Sequence, residues 1–234
     1  MIPLIGSINS FTRSITGPID DPFADDVVLY LKGNGTDGST SIIDETGKTV
    51  TVVGNTNIST AQSKYGGSSI YFDGDGDILA IQSSSDWNLS LNNNYTLECW
   101  FYSINTTGFR GIISTLIRTT AFSGWLIRLE GSNVKVLNRD VVVYSVPITT
   151  SEWYHMALVK QDGSTRFALN GNFGSTFPNS TNFSDRELII GGTYPINYPI
   201  GEHFMGYIDS LRITKGVARY TANFNPETDT YLNS

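Results

Sequence analysis

The chain has 234 residues, with 22 Asp or Glu against 15 Lys or Arg, a formal net charge of −7. That acidity leaves no electrostatic footprint for nucleic acid, whose phosphates call for a basic face. The single cysteine, Cys99, excludes an internal disulfide framework and any structural zinc site built on two or more thiolates; a chain of this length buries about 70% of its unfolded surface and needs no such staple.

Residues 1–26 read as an N-terminal arm. Gly6, Gly17, Pro18 and Pro22 interrupt a mixed apolar and hydroxyl-rich stretch that has no clean period. Its apolar residues, Ile2, Leu4, Ile5, Ile8, Phe11, Ile15 and Ile19, are poorly placed on a free tail in water and predict a surface to cover. That surface is either another protein or the chain's own body, with the arm as an edge strand. Arg13 interrupts the stretch and no apolar run suits a signal peptide or approaches the ~18 residues of a spanning helix, so synthesis in a cytosol without membrane insertion is expected.

From residue 27 onward helical periodicity is almost absent, and short alternating runs bounded by Gly, Asn, Asp and Pro predict an all-β chain. Tyr71 and Phe72 precede a turn containing Gly74 and Gly76. In YTLECWFY (95–102), Tyr95, Leu97, Cys99 and Phe101 share one face and Thr96, Glu98, Trp100 and Tyr102 the other, so both faces carry aromatics and both need cover. Further runs follow at 111–119, 124–130, 133–138, 140–146, 153–160, 164–170, 187–192 and 205–214. Asn170-Gly171 is a strong two-residue hairpin signal because both residues tolerate positive φ. A Lys215-Gly216 turn ends the last run, after which Tyr220 and Phe224 are placed to pin the returning tail. Two antiparallel sheets packed face to face, as a jelly-roll sandwich, give these side chains a common core.

Five segments, KYGGSSIYFDGDGDILAI (64–81), SSSDWNLSLNNNYTLECWFY (83–102), SEWYHMALVKQDGSTRFALNGNFGST (151–176), LIIGG (188–192) and FMGYIDSLRITKGVARYTANFNPET (204–228), resemble in order the laminin-G-like branch of the concanavalin A-like lectin/glucanase superfamily. The resemblance implies a concanavalin A-like sandwich over residues 27–228, with a short tail at 229–234. The ending KGVARYTANFNPE is similar to modules common in proteins of tailed bacteriophages. It implies a non-enzymatic virion structural protein, a capsid decoration protein or a tail or fibre surface protein. Such a protein is assembled in the bacterial host cytoplasm, docks on other virion proteins by its arm and forms homo-oligomers. The alternative is a carbohydrate-binding adhesin that recognises host surface polysaccharide.

Glucanases of the superfamily carry paired carboxylates in a Glu-X-Asp-X-X-Glu arrangement. Here Glu98 and Asp209 are the nearest strand acids, and neither has a second acid two or four residues away, so no hydrolase chemistry is expected. His155 and His203, the only histidines, come with no local nucleophile. Nucleotide cofactors are not expected, since GDGD lacks a following helix. Asp73 and Asp77 in the DGDGD turn, with Asp209, are candidate ligands for a structural calcium; the competing reading is hydrogen bonding within the turn. For a glycan, Tyr194, Asn197 and Tyr198 in the loop at 193–204 offer an aromatic and amide surface, with Phe122 and Trp125 as further aromatics.

Overall fold

The computed structural model describes residues 21–88, 94–115, 117–118, 122–138, 141–178, 186–193 and 202–228. The arm residues Ile2, Leu4, Ile5, Ile8, Phe11, Ile15 and Ile19, the loop residues Tyr194, Asn197 and Tyr198, and the tail at 229–234 lie outside them. In chain order the strands are β1 (Val27–Leu31), β2 (Val50–Val53), β3 (Asn57–Ser59), β4 (Ser69–Asp73), β5 (Ile78–Ser84), β6 (Tyr95–Ser103), β7 (Phe109–Ser114), β8 (Ile117–Arg118) and β9 (Phe122–Ser123). They continue with β10 (Trp125–Glu130), β11 (Asn133–Asn138), β12 (Val141–Pro147), β13 (Trp153–Gln161), β14 (Ser164–Leu169), β15 (Asn172–Phe173), β16 (Phe177–Pro178), β17 (Arg186–Ile190) and β18 (Met205–Lys215).

These strands build the two antiparallel sheets expected of the sandwich. The first runs β15-β14-β13-β6-β18-β4-β3, with β1 beside β18 and β16 beside β14; the second runs β12-β11-β10-β7-β17-β5-β2, and β8 pairs with β9 apart from both. Side chains alternate across each strand, so one row of each sheet faces the other. Leu97, Cys99 and Phe101 of β6, Met156 and Leu158 of β13, and Phe167 of β14 meet Ile81, Ile113, Ile127, Leu129, Val136 and Ile190 of the second sheet in one buried cluster. Cys99 is a free thiol inside this core, and burial pushes its ionisation well above the usual thiol range, so it acts as a small apolar residue.

The central strand β18 departs from simple alternation. Its register against β6 shifts between Asp209 and Arg212, and Ser210 there takes a left-handed φ of 51°. The extra residue keeps Ile208, Leu211 and Ile213 in the core while Asp209 and Arg212 both point to the outer face. The bulge also divides the strand's other neighbour. Met205 to Ile208 pair with β4, and Leu211 to Thr214 pair with β1.

After β18 the chain turns at Gly216 and runs back over the outer face of the first sheet. Ala218, Tyr220 and Phe224 pack on Ala157, Val159 and Ala168, and the Tyr220 and Phe224 rings stack with centroids 3.6 Å apart. The Phe224 N–H donates to the Gly171 carbonyl at 3.0 Å, so the strap is sewn to the β14–β15 hairpin. Tyr220 and Phe224 thus hold the returning tail, as their position in the sequence implied. At the end of the segment read as the arm, Asp21 and Phe23 contact Arg219 of this strap.

Gly171 has a φ of 75°, and a Cβ there would stand 1.8 Å from the Phe224 carbonyl oxygen. Gly171→Ala therefore combines backbone strain with a clash against main chain, and is expected to cost about 2–4 kcal/mol, read as a lowered urea midpoint. An unchanged midpoint would contradict the close approach of strap and hairpin.

Candidate functional site

The outer face of the first sheet holds a buried charge. Glu98 of β6 is 0% exposed. Arg212 donates to its Oε1 from Nε at 3.0 Å and from Nη2 at 2.8 Å, while Tyr220 donates to Oε2 at 2.7 Å and His155 Nε2 lies 3.2 Å from the same oxygen. Burial opposes ionisation, but the Arg212 charge and the bonds from His155 and Tyr220 outweigh it and hold the carboxyl far below the usual range. The network extends to the start of the described chain. Arg219 grips Asp21 with two bonds of 3.0 and 2.8 Å, and Arg212 Nη1 reaches the same carboxylate at 3.4 Å. Against the opposing effect of burial, Arg219 keeps the Asp21 carboxyl lowered. Glu98 is therefore a counter-ion to Arg212, sealed beneath the strap.

Of the candidate calcium ligands, Asp73 and Asp77 lie side by side, and burial together with the neighbouring Asp73 carboxylate raises the Asp77 carboxyl above its usual range. Asp77 is fully buried, and its Oδ1 accepts the Asn55 N–H at 2.7 Å and its Oδ2 the Asp73 N–H at 2.9 Å. Asp73 Oδ1 in turn accepts the Asp75 N–H at 2.7 Å. Asp209 lies four residues along β18 from Met205, the partner of Asp73. Its Oδ2 takes the N–H groups of Lys64 and Tyr65 at 2.8 and 3.1 Å, and its Oδ1 the Ser210 hydroxyl at 2.8 Å. These carboxylates hold turns and the 61–66 segment. In each of the three candidate acids, main-chain N–H groups occupy carboxylate oxygens that a hard cation would need. Among the described residues no group of three or more His, Cys, Asp or Glu is placed to hold a metal ion. His203 adds to the turn: its Nδ1 accepts the Gly76 N–H at 3.0 Å, and burial, against the pull of Asp75 and Asp77, lowers the ring's affinity for a proton.

A surface suited to recognition lies on the outer face of the second sheet. Phe109 of β7 pairs in register with Glu130 of β10, and Gly111 with Arg128, so Arg128 is the diagonal neighbour of Phe109. The guanidinium sits over the ring, 4.1 Å from its centroid, and Phe109 remains 46% exposed. Arg128 Nη2 donates to Glu130 at 2.9 Å and Nη1 lies 3.5 Å from Glu202, which also accepts the Thr193 hydroxyl at 2.8 Å; Lys135 of β11 pairs with Glu130 at 2.8 Å. Gly111 makes the assembly fit. A Cβ there would lie 2.4 Å from the Gly192 carbonyl carbon and 2.6 Å from Thr193 Oγ1, so only glycine lets the 192–193 segment cross β7 and bring Thr193 and Glu202 beside Arg128.

The predicted loop, with Tyr194, Asn197 and Tyr198, runs between Thr193 and Glu202, so the described residues at its two ends are bound to each other and flank this patch. Trp125, expected as an exposed aromatic, is instead 4% exposed and part of the central core, because alternation along β10 turns it inward with Ile127 and Leu129. A concavity of about 240 Å³ near Lys48, Gln82, Ser84 and Trp87 is a weaker candidate. Its lysine is committed to Asp86 at 3.2 Å, and Trp87, 1% exposed, offers no ring face.

A family profile described as the concanavalin A-like lectin/glucanases superfamily matches residues 73–219. Among solved structures, domain 4 of AbnA, an extracellular arabinanase of glycoside hydrolase family 43 from Geobacillus stearothermophilus, in complex with arabinotriose, superposes with a TM-score of 0.62 at 18% identity, over 89% of this chain and 98% of that one. The receptor-binding domain of botulinum neurotoxin D gives 0.59 at 17% identity over 89% of this chain and 52% of that one. A botulinum neurotoxin type C structure, from work on cell entry through two ganglioside molecules, gives 0.58 at 11% over 90% and 51%. The chain thus spans about half the length of these toxin domains. Such identities establish a shared fold. No curated protein matches by sequence.

Two outcomes follow from the buried acids. Glu98→Gln leaves Arg212 facing a neutral amide in a dry site and is expected to cost about 3–5 kcal/mol in urea unfolding; a change within about 0.5 kcal/mol would refute the counter-ion role. Asp209 behaves oppositely with pH. Burial pushes its carboxyl up to about 6, against bonds from Tyr65, Ser210 and Lys64. The native state therefore binds the extra proton between the ordinary carboxyl value of 3.8 and about 6, and stability falls as pH rises through that window. The stability of the native sequence relative to Asp209→Asn should decline across this interval; a constant difference would show that Asp209 does not titrate there.

Proposed function

Since the chain belongs to the concanavalin A-like lectin/glucanases superfamily, we propose that it is a non-enzymatic structural module of a tailed-bacteriophage virion, in capsid decoration or in a tail or fibre, with residues 1–20 docking it on another virion protein. The observation that carries this reading is the clamp at Asp21. The point where the leading apolar segment joins the sandwich is gripped by Arg219 and Arg212, and Arg212 is itself fixed on the buried Glu98. A pull on the arm is passed through charged hydrogen bonds into the central strands. The likeness of KGVARYTANFNPE to phage modules supports the same assignment.

A second reading, a carbohydrate-binding adhesin, is favoured by the exposed Phe109 with its ring of polar groups, and by the arabinotriose complex and the ganglioside interaction of proteins with this fold. The two readings are compatible in one protein, with the arm for attachment and the second sheet for recognition.

Deleting residues 1–20 is expected to abolish incorporation into particles while the purified truncation keeps its β-sheet spectrum and cooperative unfolding. Incorporation at the level of the full chain would refute the docking role. Incubation of the full chain with β-glucans and arabinans should release no reducing ends, and turnover at enzymatic rates would overturn the non-enzymatic assignment.

A further inference from the structure

The Phe109 patch carries an inference that rests on the glycan-binding reading and narrows it. We propose that this patch binds an uncharged sugar, with a C–H face of the ring laid on Phe109 and hydroxyls bonded to Glu130 and Glu202.

Phe109 is fixed from one side and open on the other. The Arg128 guanidinium occupies one face of the ring at 4.1 Å, and Arg128 itself is only 8% exposed, anchored by Glu130 and Glu202. The ring is therefore held in place, with almost half of its surface left in water. A flat apolar face of this size beside convergent carboxylates matches the two-sided chemistry of a sugar, whose C–H groups gather on one face while its hydroxyls radiate around the edge.

The charges select against ions. Arg128 and Lys135 are matched by Glu130 and Glu202 through contacts of 2.9, 3.5 and 2.8 Å, two cations against two anions with each group paired. An anionic ligand would have to displace a carboxylate from Arg128 or Lys135, and it would approach a chain of net charge −7. A hydroxyl displaces nothing. Each carboxylate has about four acceptor positions, so it can take an O–H beside the N–H groups it already holds. The Lys135 hydrogen bond lowers the Glu130 carboxyl, which keeps it an acceptor at neutral pH. All of these side chains stand on strands or on the Thr193–Glu202 tie, so little ordering accompanies binding.

The test uses the full chain on an array of neutral, sialylated, uronic and sulfated oligosaccharides, read at low and high salt, followed by calorimetry with the best neutral ligand. Neutral glycans are expected to bind, with affinity changing less than about twofold between the salt conditions. Phe109→Ala should weaken binding at least about tenfold with an unchanged melting temperature, since the ring is not part of the core. Glu202→Gln should weaken it as well. Binding confined to acidic glycans and lost at high salt would overturn the uncharged ligand and leave the glycan reading standing. Neutral binding that survives Phe109→Ala would overturn this site alone, and a blank array would overturn both.

Discussion

A carboxylate removed from water must be matched where it stands, and Glu98 is matched by groups drawn from three separate parts of the chain. Arg212 comes from the central strand, His155 from the strand on the other side of β6, and Tyr220 from the strap. Because Arg212 also reaches Asp21, which Arg219 grips, one buried charge fixes both the entry of the chain into the sandwich and its final return. Removing any donor leaves charge exposed to a low-dielectric interior, so the pieces are mutually dependent. The strap is thereby a component of the fold rather than a trailing end.

This arrangement divides the molecule's two outer faces. On the first sheet the strap, the 61–66 segment held by Asp209, and residues 21–23 cover what the strands present, and even the polar side chains are buried. On the second sheet the polar groups around Arg128 are paired but near the surface, and Phe109 faces water. The Asp21 clamp and the Phe109 patch thus lie on opposite faces separated by the shared core.

What was legible in the sequence was local. The two-residue period placed Leu97, Cys99 and Phe101 on one face of β6 and Glu98 and Trp100 on the other. Asn170-Gly171 marked its hairpin through backbone freedom, and Tyr220 and Phe224 were identifiable as aromatic pins. The Glu98 to Arg212 pair spans 114 positions, and no spacing rule links residues so far apart. Asp73, Asp77 and Asp209 carried the right chemistry for a cation, but whether a carboxylate serves a metal or a backbone N–H depends on the path of other segments. Phe109 escaped notice because β7 also breaks alternation: Ile112 and Ile113 are both in the core, with the register against β10 shifting there. Gly111 was the available signal, a glycine inside a strand, which commonly marks close approach by another backbone. β1, β2 and β3 are short and lie among Gly, Ser and Thr, where the period is weakest.

The bulge at Ser210 makes the length of the last strand as consequential as its composition. Everything after this residue in β18 owes its orientation to a single inserted step. Loss of one residue at this point, with the pairing to β6 otherwise kept, would rotate the remainder of the strand by half a period, turning Leu211 and Ile213 outward and driving the Arg212 guanidinium between the sheets. The number of residues through this point is therefore what keeps the Arg212 guanidinium on the side of the sheet where Glu98 waits for it.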